Sequence, residues 1–62
     1  MATITLKAAR VNAGLTQADA AKQLGVSVQT LCNYEKGKKS PTVLVAKKMS
    51  ELYDATISEL FG

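Results

Sequence analysis

Residues 16–35 read TQADAAKQLGVSVQTLCNYE, and this stretch decides the fold. Thr16 is a favourable N-cap for a helix that Gly25, which tolerates the left-handed conformation, brings to an end. Ser27 then caps a second helix over Val28–Glu35. The pattern predicts two short helices joined by a tight glycine turn.

The rest of the chain has the same helical patterning, without the alternation typical of strands. The predicted helices are Ile4–Ala13, a segment capped by Thr16 that ends at Leu24, Val28–Glu35, a segment from Ser40-Pro41 to Tyr53, and Ile57–Phe61 after a cap at Thr56. Gly14 and Asp54 are expected to be left-handed at helix ends. Five short helices predict an all-α fold, a compact orthogonal bundle forming one domain over residues 1–62, because none is long enough for a parallel four-helix stack.

Apolar residues at helical spacing predict one hydrophobic core. Its expected members are Leu6, Ala9, Leu15, Ala20, Ala21, Leu24, Val26, Leu31, Tyr34, Val43, Ala46, Met49, Tyr53, Ile57 and Leu60. A chain of this length buries only roughly 60% of its unfolded surface, so its stability is expected to be modest.

The fourth predicted helix has a second apolar edge, which lies away from the expected core stripe. The candidate residues for a contact between two copies of the chain are Leu44, Val45, Leu52, Ile57 and Phe61. Single exposed leucines are common on protein surfaces, so this edge alone does not require a partner.

Composition excludes several classes of protein. No apolar run approaches the roughly 18 residues of a membrane span, and the amino terminus has no basic segment followed by an apolar one. Cys32 is the only cysteine, so no internal disulfide can form and a reducing cytoplasm is the expected location. The chain has no histidine, no carboxylate pair at matched spacing and no glycine-rich phosphate loop, so no enzyme, cofactor or metal site is predicted.

Charge is distributed unevenly along the chain. Residues 1–48 contain all eight basic side chains and two acidic ones, whereas residues 49–62 contain three acidic side chains and no basic one. A domain polarised in this way suits contact with a polyanion at one end. A mildly basic, solvated surface would explain the charge equally well.

The third predicted helix has two amides on its outer face. Gln29 and Asn33 are four residues apart, so they share one stripe, opposite the face that carries Leu31 and Tyr34. Each amide can pair with the major-groove edge of adenine, and Val28 in the first turn could contact a thymine methyl group. Taken alone, exposed amides are better explained by an ordinary polar surface.

The residues around this face favour phosphate contacts. Lys36, Lys38 and Lys39 follow the helix, while Thr16 and Gln17 open the preceding helix, where free N–H groups can hold a phosphate. Thr30 lies beside the amides and is a further candidate for a backbone contact. A lysine-rich turn is common in isolation, but the combination predicts a helix-turn-helix that reads a DNA groove.

Arg10 and Glu35 form a second constellation. Arg10 shares the stripe of Leu6 on the first helix, and Glu35 lies on the inner side of the third helix, so both charges are predicted to face the bundle. A bidentate ion pair would reconcile them with burial. The alternative is that both side chains extend to solvent.

The chain resembles the Cro/repressor-type, or lambda-repressor-like, helix-turn-helix family of phage and bacterial regulators. The residues that carry the resemblance are Arg10, Gly14-Leu15-Thr16-Gln17, Ala21, Leu24-Gly25-Val26-Ser27, Leu31, Tyr34-Glu35, Gly37, Pro41 and Ile57-Ser58-Glu59-Leu60-Phe61. The departures are Asp54, where glycine is usual, and alanines at positions 9, 20 and 46, where leucine is common.

This resemblance implies a five-helix domain that binds operator DNA, usually as a dimer. Residue by residue, it implies a phosphate contact for Gln17, base reading by Val28, Gln29 and Asn33, and positions on or near the DNA backbone for Ser27, Cys32 and Lys38. It also implies that Arg10 and Glu35 form the family's buried ion pair.

The expected function is a sequence-specific transcriptional regulator of double-stranded DNA, most simply a repressor of phage or mobile-element type. It would insert helix 28–35 into the major groove of a (pseudo)palindromic operator as a dimer. The alternative is an antitoxin or co-regulator whose main role is to bind a protein partner. No small-molecule ligand and no membrane contact are expected.

Overall fold

The computed structural model describes residues 5–61, and within this range the chain is all-helical, as predicted. The helices are α1 (Leu6–Asn12), α2 (Gln17–Leu24), α3 (Val28–Lys36), α4 (Val43–Leu52) and α5 (Ile57–Phe61). The predicted start of the first helix, Ile4, lies outside the described residues. No helix of the described part is long and apolar enough to cross a bilayer.

Hydroxyl side chains begin the first four helices. Thr5, Thr16, Ser27 and Thr42 have extended backbones, and each side-chain oxygen accepts a hydrogen bond from the N–H three residues later. The caps predicted at Thr16 and Ser27 are therefore confirmed. Thr56 forms a capping box with Glu59: each side chain accepts from the other residue's backbone N–H.

Helix α4 begins later than predicted. The expectation that it opens at Ser40-Pro41 is wrong, because Thr42 is its N-cap and accepts from Val45 N at 3.3 Å. Ser40 and Thr42 are both residue types that favour an N-cap, so the local sequence does not select between them. Pro41 lies in the connection before the cap.

The turn between α2 and α3 depends on a left-handed glycine. Gly25 has φ of 76° and C-caps α2, and the N–H of Val26 donates to the carbonyl of Ala21. A side chain would be strained in this conformation, although a Cβ at Gly25 would meet no atom within 4 Å. Asp54 is left-handed as predicted, with φ of 52°.

Within residues 5–61, the ten buried apolar residues all belong to the predicted core. They are Leu6, Ala9, Ala20, Ala21, Leu24, Leu31, Tyr34, Met49, Tyr53 and Leu60. Leu15 and Val26 pack against this cluster while partly exposed, and Ala46 is half-buried. Ile57 was also predicted to be buried, which is wrong: it is 42% exposed.

The orientation of α4 corrects three predictions. Val43 was expected in the core but is 79% exposed, whereas Val45 and Leu52, expected on an unpartnered edge, pack against the core. The buried arc of α4 is centred on Met49, and Val45 and Leu52 lie within roughly 60° of it on the helical wheel, whereas Val43 is about 120° away. The prediction extended the core from Ala46, Met49 and Tyr53 to Val43 on one side of the helix, whereas the buried arc extends to Val45 and Leu52 on the other side.

Helices α2 and α3 pack together, as do α1 with α3, α2 with α4, and α4 with α5. Helix α3 is thus held from two sides by α1 and α2. Its inner face carries Leu31, which is fully buried, and Tyr34, which is 8% exposed. This packing leaves the opposite face of α3 at the surface of the molecule.

Candidate nucleic-acid interface

The outer face of α3 carries the predicted amides. Gln29 is exposed, Asn33 is half-buried, and Val28 in the first turn is 45% exposed. The Nε2 of Gln29 donates to the Oδ1 of Asn33 at 3.2 Å. The two amides therefore form one hydrogen-bonded unit at the surface, which sequence reasoning did not predict.

Two hydroxyl groups meet at the amino end of α3. Ser27 Oγ accepts from the N–H of Thr30 at 3.1 Å and donates to Thr30 Oγ1 at 2.9 Å. The hydroxyl hydrogen of Thr30 is thus left to donate outward, beside the positive end of the helix dipole. This arrangement suits an anionic oxygen at Thr30, as its predicted backbone contact requires, whereas the hydroxyl hydrogen of Ser27 is already donated to Thr30.

Three exposed lysines lie at the end of α3 and in the loop that follows it. Lys36 ends the helix, and Lys38 and Lys39 follow the left-handed Gly37. The N–H of Lys38 donates to the carbonyl of Asn33 at 2.9 Å, which ties the loop backbone to the last turn of α3. The lysine side chains therefore extend from a backbone that is fixed next to the amide face.

Arg10 and Glu35 are paired in the interior. Arg10 Nε donates to Glu35 Oε2 at 2.7 Å, and the side chains are 9% and 5% exposed. Arg10 Nη1 also donates to the carbonyl of Leu15 at 2.8 Å. The contact joins α1 to the last turn of α3. It therefore fixes the inner face of α3, opposite the amides, by a polar interaction.

Gln17 takes part in the same network. Its Nε2 donates to Glu35 Oε1 at 3.1 Å, so both carboxylate oxygens of Glu35 accept a hydrogen bond. One amide N–H and the backbone N–H at the start of α2 remain for the phosphate contact that the resemblance implies. Sequence spacing could not reveal this contact, because Gln17 and Glu35 are 18 residues apart.

Tyr53 lies behind this network and was predicted only as a core residue. Burial, together with the negative charge of Glu35, raises its pKa to about 12, while Arg10 acts in the opposite direction. Within the described residues, its hydroxyl is buried without a hydrogen-bond partner. The phenol therefore stays neutral and carries a desolvation cost.

Thr16 and Cys32 are the remaining residues predicted to lie on or near the DNA backbone. Thr16 is exposed, and its hydroxyl is engaged as the cap of α2, at 3.1 Å from the N–H of Asp19. Cys32 is half-buried on α3 and has a free thiol. Across residues 5–61, no cluster of three histidine, cysteine or acidic side chains is arranged to hold a metal ion.

Comparison with known proteins identifies the family of the chain. A helix-turn-helix family model matches residues 6–60. An uncharacterized HTH-type transcriptional regulator of Methanocaldococcus jannaschii is 43% identical over 56 residues, covering 90% of this chain and 85% of the relative. A similar uncharacterized regulator of Archaeoglobus fulgidus is 38% identical over 52 residues, covering 84% and 74%.

The HTH-type transcriptional regulator ImmR of Bacillus subtilis is 39% identical over 57 residues, covering 92% of this chain but only 45% of ImmR. No solved structure matches the chain. The family match covers α1 to α4 in full and α5 as far as Leu60, and it includes the turn at Gly25 and the amide face of α3. The chain belongs to the Cro/repressor-type helix-turn-helix family of DNA-binding transcriptional regulators.

Proposed function

We propose that this protein is a sequence-specific repressor that inserts α3 into the major groove of its operator. The observation that carries the proposal is the division of α3 into two faces. Leu31 and Glu35 fix the inner face to the bundle, whereas Gln29 and Asn33 present amides at the surface. Such amides suit direct reading of bases in the major groove.

Phosphate contacts on both sides of α3 would orient it in the groove. The amino ends of α2 and α3 offer N–H and hydroxyl donors at Gln17 and Thr30, and the lysines at positions 36, 38 and 39 supply positive charge. We propose that the protein acts in the cytoplasm, bound to the DNA of a cell or of an infecting phage. The phage or mobile-element type is proposed by analogy with small regulators of this family.

We propose that the protein acts as a dimer on a (pseudo)palindromic operator. One nine-residue helix can make few base contacts, so two copies would be needed for tight binding, with half-sites about 34 Å apart. Leu44, Ile57 and Phe61 support a contact through α4 and α5, because they are 67%, 42% and 40% exposed on two helices that pack together. Val43, also on α4, extends this apolar surface.

A binding titration tests the DNA-reading function. Wild type and the Gln29→Ala/Asn33→Ala double variant are titrated with the DNA flanking the gene and with a scrambled duplex, at two salt concentrations. We expect wild type to prefer the native DNA, the double variant to lose that preference, and all binding to weaken with salt. Gln23→Ala, an exposed amide of α2, is the matched control. Equal binding of both duplexes by wild type would contradict the proposal and favour a protein partner.

Sedimentation and binding to one or two half-sites test the dimer. Leu44→Lys is expected to weaken binding to a two-half-site duplex while leaving binding to a single half-site unchanged. Val11→Lys is the control, because Val11 is a 55% exposed apolar residue of α1. If Leu44→Lys and wild type bind the two-half-site duplex equally, α4 does not form the contact.

A further inference from the structure

The hydrogen bond between Gln29 and Asn33 has a direction, and that direction limits what each amide can offer to a base. Gln29 supplies an N–H and Asn33 supplies its carbonyl oxygen, at 3.2 Å. Neither side chain has another hydrogen bond within the described part of the chain. The pair is four residues apart on one helix, so it forms without any rearrangement of the backbone.

The groups left over on the two amides differ. A primary amide has one carbonyl oxygen and two N–H groups. Gln29 retains its oxygen and one N–H, which together make the acceptor and donor pair that fits adenine. Asn33 retains two N–H donors, whereas one of the two lone pairs of its side-chain oxygen already accepts from Gln29. Donors therefore predominate among the groups that Asn33 can offer to a base.

We propose that Gln29 and Asn33 read DNA as one coupled unit, in which Asn33 holds the amide of Gln29 for adenine and itself selects a base with acceptors in the major groove. This inference rests on the proposed function and specifies the bases of the half-site. Bases that present acceptors and no donor there are guanine, with N7 and O6, and thymine, with O4, whereas adenine presents the N7 acceptor beside an amino donor. An isolated asparagine would instead favour adenine.

Asn33 thus has two roles, one as a reader and one as the residue that positions Gln29. Holding the Gln29 side chain before binding lowers the entropy lost when it meets the base. The half-buried position of Asn33 beside the exposed Gln29 supports this role, because Asn33 is already partly removed from solvent. The backbone N–H of Lys38 donates to the backbone carbonyl of Asn33, which further fixes the main chain at this position.

Selection from a randomised duplex library, followed by titration of single-base variants, tests the coupling. Four variants are compared with wild type: Gln29→Ala, Asn33→Ala, Asn33→Asp and the control Gln23→Ala. Asn33→Asp keeps an oxygen that accepts from Gln29 but removes both donors. Circular dichroism is used to check that each variant is folded. We expect all of them to fold, because the changed side chains lie on helix surfaces.

The expected results separate the two roles. Wild type should prefer adenine at one base pair by about 10-fold and guanine or thymine at the other. Asn33→Ala should flatten both preferences, whereas Asn33→Asp should keep the adenine preference and lose the other, with weaker overall binding because its carboxylate repels phosphates. Gln29→Ala should shift the base pair read by Asn33 towards adenine, because the carbonyl of Asn33 becomes free.

Three outcomes would overturn the inference. The first is an adenine preference of Gln29 that is unchanged in Asn33→Ala, which would show that the two amides act independently. The second is adenine at the base pair of Asn33 in wild type. The third is a wild-type selection that enriches no sequence, which would overturn the proposed function together with this inference, whereas the first two leave that function standing.

Discussion

The guanidinium of Arg10 lies 2.7 Å from the carboxylate of Glu35, which is 25 residues later in the chain, and both side chains are almost fully removed from water. The second carboxylate oxygen accepts from Gln17, so a single acidic residue of α3 contacts both α1 and α2. Buried ion pairs add little net stability relative to apolar packing. We infer that this network positions the amide face of α3.

Removing one member of the ion pair should be strongly destabilising. Arg10→Met leaves the charge of Glu35 buried, and we expect the free energy of unfolding to fall by about 3–5 kcal/mol, measured by chemical denaturation. The double variant Arg10→Met/Glu35→Met should recover much of this loss, because no unpaired charge remains. A loss below about 1 kcal/mol in Arg10→Met would mean that Glu35 reaches solvent readily.

The left-handed turn between α2 and α3 predicts a backbone effect. Gly25→Ala should lower the free energy of unfolding by about 1–2 kcal/mol, because an L side chain is strained at a φ of 76°. Gly25→Asn should cost less, since asparagine tolerates this conformation. Thermal denaturation of both variants measures the difference. Equal losses would point to packing at the turn, which the open space around a Cβ at Gly25 argues against.

The buried hydroxyl of Tyr53 predicts a gain in stability. Tyr53→Phe removes a polar group that has no hydrogen-bond partner and should raise the free energy of unfolding by about 1 kcal/mol at neutral pH. Tyr34→Phe is the control, because the hydroxyl of Tyr34 is not a buried orphan and no gain is expected. A loss of stability in Tyr53→Phe would show that the hydroxyl has a partner in solution.

Tyr53 also predicts a pH dependence. Its pKa rises from 10.0 in the unfolded chain to about 12 in the folded protein, so folding favours the protonated phenol. This contribution to stability is complete below pH 10 and is lost as pH rises towards 12. The free energy of unfolding, measured by chemical denaturation at several pH values in this range, should therefore fall more steeply with pH for wild type than for Tyr53→Phe. Parallel curves for the two proteins would contradict the shifted pKa.

Salt dependence distinguishes phosphate contacts from base contacts. Lys38→Ala should weaken binding to native and scrambled DNA alike and should reduce the slope of log affinity against log salt by about 1. Lys48→Ala is the control, because Lys48 lies in the groove between α2 and α4, with Gln23 and Glu51. An unchanged slope in Lys38→Ala would remove this lysine from the interface.

Local signals predicted most of the fold because helix caps and stops act over a few residues. Thr16, Gly25 and Ser27 satisfy or end the hydrogen bonding of their own helices, so their roles can be read from the chain alone. The start of α4 was mistaken because Ser40 and Thr42 are both good caps, and only the path of the chain across the bundle selects between them.

Part of the candidate site was likewise predicted from the sequence. The amide face of α3 follows from helical periodicity, and the pairing of Arg10 with Glu35 followed from two charges that both point inward. The contact of Gln17 with Glu35 and the orphan hydroxyl of Tyr53 were not predicted, because each depends on how separate helices are placed.

The sequence by itself therefore determined the helix-turn-helix, its caps and the residues on each face of α3, since all of these depend on hydrogen bonds and periodicity within a few turns. Tertiary structure alone decided which arc of α4 is buried, so that Val45 rather than Val43 packs against the core. It also decided that Gln17 joins Arg10 as a donor to Glu35, because Gln17 and Glu35 are distant in the chain and are brought together only by packing of the helices.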